Sequence, residues 1–147
     1  TEYSYTGNSN APMLGKKIAA NQLSFQHLAG LVKFTLGGGI PENADRFVVK
    51  SVNEAQPIAG LVSFAVDVHP STLEIIGNAS QTVTYSLDNV TDELQYFFVP
   101  IPVGTYDALE VSFYLKDSDS PAFTRRVSNL EVSRARMISM PILNWNN

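Results

Sequence analysis

Apolar and polar residues alternate along most of this chain. In HLAGLVKFTL, Leu28, Gly30, Val32, Phe34 and Leu36 fall on one side, and Ala29, Leu31, Lys33 and Thr35 on the other. In PIAGLVSFAV, Ile58, Gly60, Val62, Phe64, Val66 and Val68 share a face, with Leu61, Ser63, Ala65 and Asp67 opposite. A period of two marks a half-buried strand, because successive side chains of an extended chain leave on opposite sides. The same alternation runs through DRFVVKSVN (Phe47, Val49), QTVTYSL (Val83, Tyr85, Leu87) and ALEVSFYLK (Leu109, Val111, Phe113, Leu115). LQYFFVPI is a denser apolar strand, and PIPVGTY then turns the chain. HPSTLEI, AFTRRVSN and LEVSRARMISM read as further strands, the last two separate from each other, with DSDSP a turn before them. The spacing predicts eight to nine short strands in one all-β domain, two antiparallel sheets packed face to face.

Helical signal is confined to GKKIAANQLSFQHL, where Ile18, Leu23 and Phe25 offer partial periodicity. A single helical turn is the most that stretch supports. Residues 1–22 read as a flexible, polar, turn-rich leader and 23–147 as a single β-sandwich domain. The expected core includes Leu28, Val32, Phe34, Ile58, Val62, Phe64, Phe98, Val111 and Phe113.

The string AGLVxF occurs twice, at Ala29–Phe34 and Ala59–Phe64. A true repeat needs similarity across a whole unit. Here the flanks diverge, TLGGGIPENAD after one copy and AVDVHPSTLEI after the other. The copies are better read as two strands that meet the same packing demand. Each holds a glycine in mid-strand, which predicts a bulge or a close approach by a neighbouring chain or ring.

Composition narrows the function classes. Hydrophobic residues make up 44% of the 147 and charged residues 16%, enough apolar material for a core. A net charge of −4 argues against nucleic-acid partners. The chain has no cysteine, so disulfides and thiol chemistry are excluded. No apolar run is long enough for a membrane-spanning helix. Because the chain begins at Thr1, removal of an upstream segment is expected.

Candidate chemistry is thin. His27 and His69 have no partner at metal-ligand spacing. Gly37-Gly38-Gly39 is followed by IPENAD rather than by a helix with a lysine and a hydroxyl, so it reads as a strand connection. Asp117-Ser118-Asp119-Ser120 alternates carboxylates, but the glycine and the bidentate glutamate of a calcium loop are missing. Asp92 and Glu93 are adjacent, so in extended chain they would not converge. Arg125, Arg126, Arg134 and Arg136 form a basic group, with Arg134 and Arg136 expected on one face of the last strand. They suit an anionic ligand or, more simply, a solvated sheet edge. Tyr96, Phe97, Phe98, Tyr106 and Tyr114 could offer a sugar-stacking platform or serve as sheet aromatics. No catalytic, cofactor-binding or metal-binding residue is assigned, and no enzyme is expected.

Taken in order, FQHLAGLVKFTL, RFVVKSVNEAQPIAGLVSF, LQYFFVPIPVGTYDALEVSFYLKD and RRVSNLEVSRARMISMPIL resemble the fimbrillin-like proteins of Bacteroidales, the subunits and accessory proteins of type V pili. The likeness spans about residues 23–143. It implies a transthyretin-like β-sandwich, export as a lipoprotein to the outer membrane and cell surface, and assembly by strand exchange. In that process proteolysis removes an N-terminal segment and a neighbouring subunit fills the groove. Lys16-Lys17 could be such a cleavage site or a solvated charge pair. The lipidation cysteine would lie upstream of Thr1, and the two-domain members of the family are longer than this chain.

The expected function is therefore a non-enzymatic fimbrial subunit or accessory adhesin. Its partners would be other pilus subunits or copies of itself, with a host or glycan ligand. The competing expectation is a carbohydrate-binding module on the same architecture, which requires exposed aromatic rings beside polar groups on one sheet face.

Overall fold

A computed structural model describes residues 2–5 (backbone only), 13–65, 73–87 and 94–145. The described residues hold twelve strands and no helix: β1 (Glu2–Tyr5), β2 (Met13–Ala19), β3 (Gln22–His27), β4 (Ala29–Leu36), β5 (Ala44–Ser51), β6 (Ala59–Ser63), β7 (Glu74–Ser80), β8 (Thr82–Ser86), β9 (Gln95–Pro102), β10 (Gly104–Leu115), β11 (Phe123–Val132) and β12 (Met137–Ser139). Among them no helix is long and apolar enough to cross a membrane.

Two sheets form the sandwich. One has the order β11-β10-β5-β8 and the other β12-β4-β9. Their inward faces are the alternating residues of the sequence pattern: Phe47 and Val49 on β5, Val111 and Phe113 on β10, Val32 and Phe34 on β4, Val99 and Ile101 on β9, all buried. Aromatic rings bridge the layers. Phe47 meets Phe34 at 6.4 Å and Phe97 at 4.7 Å between ring centroids, edge to face in both cases. At one end Trp145 closes the core edge-on against Phe123, at 4.9 Å.

A third sheet, β1-β6-β7, continues from the end of β5 and β8. It is tied on by bonds from Ser51 N to Gln81 O (2.8 Å) and from Ile58 N to Ser80 O (2.9 Å). Among the described residues β2 and β3 pair only with each other, as an antiparallel hairpin.

The two AGLVxF copies occupy β4 and β6, and their glycines answer different local demands. A Cβ on Gly30 would run into the Val132 side chain and lie 2.7 Å from the Ser133 carbonyl oxygen. Gly60 has a φ of 151° and lies where the β6–β7 register shifts on both sides of Leu61. A Cβ there would sit 2.8 Å from the Gly77 carbonyl oxygen. Phe34 is buried. Phe64 lies just beyond β6 and is half-buried against the core.

Four expectations need correction. Residues 13–27 form a hairpin, with no helical turn, because Leu23 and Phe25 follow a period of two that cross-strand pairing with Lys17 and Gly15 satisfies. That hairpin and β1 raise the strand count above nine. The separate strands AFTRRVSN and LEVSRARMISM are one long β11 followed by the short β12. Between them Ser133–Arg136 crosses from one layer to the other, with Ala135 at φ 54°, and β12 lands parallel to β4. One pairing in the sandwich is therefore parallel. Finally, Phe98 is 47% exposed and outside the core. In QYFFVPI either phenylalanine could face inward, and the packing of Phe97 onto Phe47 decides it.

Phe47→Ala is expected to cost about 3–5 kcal/mol of unfolding free energy in urea titrations, as for other fully buried phenylalanines. Phe98→Ala should cost less than about 1 kcal/mol, as for an exposed position. Comparable losses at the two sites would mean that β9 faces the other way. Gly60→Ala should lower stability by about 1 kcal/mol or more, since both its φ and the Gly77 carbonyl oppose a side chain.

Candidate functional site

The sequence candidates scatter over the fold. His27 ends β3, half-buried, and its backbone carbonyl accepts a bond from Arg134 Nη1 at 3.2 Å. Among the described residues no group of three or more histidine or carboxylate side chains is gathered to hold a metal ion. His69, Asp92 and Glu93 lie outside the described residues. The Gly37–Gly39 stretch leaves β4, and Gly37 N donates to the Leu143 carbonyl at 2.9 Å. The Asp117–Ser120 stretch is the β10–β11 hairpin loop and closes on itself. The Ser118 hydroxyl donates to the Ser120 carbonyl at 2.9 Å, and Arg46 Nη2 bonds the Ser118 carbonyl at 3.2 Å.

The four arginines do not make one surface. Arg125 lies over the Phe123 ring at 5.1 Å. Arg126 points to the other side of β11 and approaches Glu110 at 3.5 Å. Arg134 and Arg136 fall in the turn before β12, so the expectation that they share a strand face is overturned. The turn exists because β11 must hand the chain to the opposite layer.

The aromatics divide as well. Tyr106 is buried, and its hydroxyl donates to the Pro102 carbonyl at 2.8 Å. Tyr114 lies on the outer face of the four-stranded sheet under the Arg46 guanidinium, 4.5 Å from its ring centre. Phe97 packs into the core. Tyr96 and Phe98 alone of the five face outward from β9, 50% and 47% exposed. Lys16 and Lys17 are exposed in β2, held in extended chain.

Two kinds of surface remain. The first is strand edges. β1 lies antiparallel on β6, from Tyr5 opposite Gly60 to Glu2 opposite Ser63. At the other side of that sheet a cleft of about 370 Å³ separates β7 from the β9–β10 corner, lined by Leu73, Glu74, Ile75, Pro102, Gly104 and Tyr106 among others. Its floor is held firmly. Gln56 Nε2 donates to the Thr105 carbonyl at 3.0 Å, Asp107 N donates to Gln56 Oε1 at 2.9 Å, and Asn53 Nδ2 donates to Asp107 Oδ2 at 2.8 Å. The second kind is apolar side chains left in water: Met13, Ile18, Leu23 and Phe25 on the hairpin, and Leu94, Tyr96, Phe98 and Met137 around the outer face of β12-β4-β9.

Two tyrosines have phenols that resist ionisation. Burial pushes Tyr85 up to about 12 and raises Tyr106 further still. Tyr85 also donates to the Phe98 carbonyl at 3.3 Å, joining the edge of one layer to the edge of the other. The folded value of Tyr85 lies above the unfolded 10.0, so its contribution to stability is full below pH 10 and is lost as pH rises toward 12. Denaturation midpoints should therefore fall across that window, and Tyr85→Phe should shallow the fall; an unchanged slope in Tyr85→Phe would count against it. Tyr106→Phe should cost about 1 kcal/mol at neutral pH through the unpaired Pro102 carbonyl.

No family model, curated protein or solved structure matches the chain, so its function must be read from these surfaces and from the residues that line them.

Proposed function

We propose that this protein is a non-enzymatic cell-surface fimbrial subunit or accessory adhesin of transthyretin-like build that assembles with copies of itself or with related subunits by strand complementation. One observation carries the reading. β1 is an edge strand of four residues that, among the described residues, is held by a single neighbour, β6. Backbone bonds along such an edge are indifferent to which chain supplies them. Leaving would cost β1 little and would open the edge of β6, where Val62 and the bulged Gly60 stand between β1 and β7. An incoming strand would regain the same bonds.

The fimbrillin-like segments support the same reading. They fall on β3–β4, β5–β6, β9–β10 and β11–β12 together with the connections between them, and so take in strands of both layers of the sandwich, of its attached sheet and of the hairpin. Export to the outer membrane and lipid anchorage before processing belong to the proposal through that resemblance alone.

The test is a chain with a specific protease site introduced between residues 6 and 12, followed by sedimentation velocity before and after cleavage. Cleavage and removal of the N-terminal peptide should convert monomer to oligomer, and added excess of a TEYSYT peptide should reverse it. A cleaved, peptide-free protein that stays monomeric up to millimolar concentration would sink the proposal.

A further inference from the structure

The two layers of the sandwich finish their outer faces differently. On the four-stranded sheet the outward residues are mostly polar, Val48 and Tyr114 aside, and two pairs join neighbouring strands. Glu110 meets Arg126 at 3.5 Å, and Ser112 meets Thr124 at 2.9 Å. Arg46 bonds Asp45 at 2.7 Å and lies over Tyr114. On β12-β4-β9 the register sets a different surface. Met137 stands opposite Leu31, Ser139 opposite Lys33, Lys33 opposite Phe98, and Thr35 opposite Tyr96. Met137, Phe98 and Tyr96 are each about half-exposed, at 54%, 47% and 50%. The Lys33 ammonium lies over the Tyr96 ring, 4.2 Å from its centre. At the Leu31 end, a hollow of about 110 Å³ opens among His27, Ala29, Leu31, Ala135, Arg136 and Met137.

Charge separates this face from the rest of the molecule. The three strands, AGLVKFTL, QYFFVPIP and MIS, contain no aspartate or glutamate, although acidic residues outnumber basic ones in the chain. Among the described residues the charges on this face are Lys33 and, at its end, Arg136. Such a surface suits an uncharged or acidic occupant. A second copy docked on it by a twofold axis would bring together two faces whose charges, Lys33 and Arg136, are all positive, with no acidic partner for either. A ligand with apolar faces to lay on rings and with acidic groups for the cations fits this composition.

We propose that the outer face of β12, β4 and β9 binds an acidic polysaccharide, with sugar rings on Tyr96 and Phe98 and sugar carboxylates on Lys33 and Arg136. The C–H face of a pyranose stacks on an aromatic ring. Tyr96 and Phe98 stand two residues apart on one strand face, roughly 7 Å along the chain. The Ser139 hydroxyl, beside Lys33, can bond ring hydroxyls. The proposal is independent of assembly at β1 and β6, which concerns another sheet.

Affinity electrophoresis tests it, with polygalacturonate and hyaluronan as acidic probes and methyl-esterified pectin and dextran as neutral ones. The protein should be retarded by at least one acidic polymer and less by the neutral ones, and the difference should shrink with added salt as the charge contacts are screened. Tyr96→Ala or Phe98→Ala should weaken retardation by about tenfold, the loss of one ring contact of about 1.4 kcal/mol. Lys33→Gln should reduce the preference for acidic over methyl-esterified polymer, and Lys33→Gln with Arg136→Gln should abolish it. Unfolding midpoints confirm that each variant is folded. Retardation by none of the polymers would overturn the proposal, as would equal retardation of Tyr96→Ala and the parent. Concentration-dependent dimers that Phe98→Ala abolishes would assign the face to a second copy and overturn it as well.

Discussion

The packing of Phe47 is the contact on which the rest depends. This ring sits on the central strand of the four-stranded sheet with no exposure to water, and it touches rings from both layers. Phe113 and Tyr85 stack on it within its own sheet, at 5.6 and 4.9 Å, and Phe34 and Phe97 meet it edge-on from the other. Offset and edge-to-face arrangements are the favourable ones for ring quadrupoles, so the cluster sets the separation and relative rotation of the layers as well as burying area. Once Phe97 is drawn to Phe47, the alternation of β9 puts Tyr96 and Phe98 on the outside. The unusual outer face of β12-β4-β9 is thus a consequence of the core.

A sandwich of open sheets has edges, and this molecule uses its chain ends to cover some of them. Residues 136–143 run beside β4, with Leu31 N donating to Arg136 O at 3.0 Å and Met140 N donating to Lys33 O at 2.9 Å. β1 covers β6. The first cover is held at several points and by Trp145 against Phe123 and Phe113, whereas the second is a short strand on one neighbour. In the proposed assembly, that contrast in tethering is the reason to place exchange at the β6 edge. Surface binding and subunit assembly would then occupy different sheets, so one could proceed without the other.

Much of the architecture was legible in the residue pattern. The inward faces of β4, β5, β8 and β10 follow directly from alternation at Val32 and Phe34, Phe47 and Val49, Val83, and Val111 and Phe113. The mid-strand glycines correctly announced a close approach at Gly30 and a bulge at Gly60. The candidate surface was legible only in part. Five aromatics stood out by type, and nothing local said which two would be left in water. The four arginines looked like a group because they are near in sequence, but a strand face and a crossover turn place them apart. In residues 15–28, Ile18, Leu23 and Phe25 fit a helical turn as well as a strand, and pairing with β2 across the hairpin decides for the strand.

By itself, then, the sequence determined the class of fold, the position of most strands and the side each turns inward, because those depend on residues two apart. It also determined that no acidic residue would lie on β4, β9 or β12. Only the tertiary structure decided which strands are neighbours, that β12 runs parallel to β4, that Phe97 rather than Phe98 enters the core, and that β1 lies on β6. These are choices among pairings distant in sequence. The choice of Phe97 is settled by packing onto Phe47, and the others by backbone pairing between distant segments, which no local window of the chain contains.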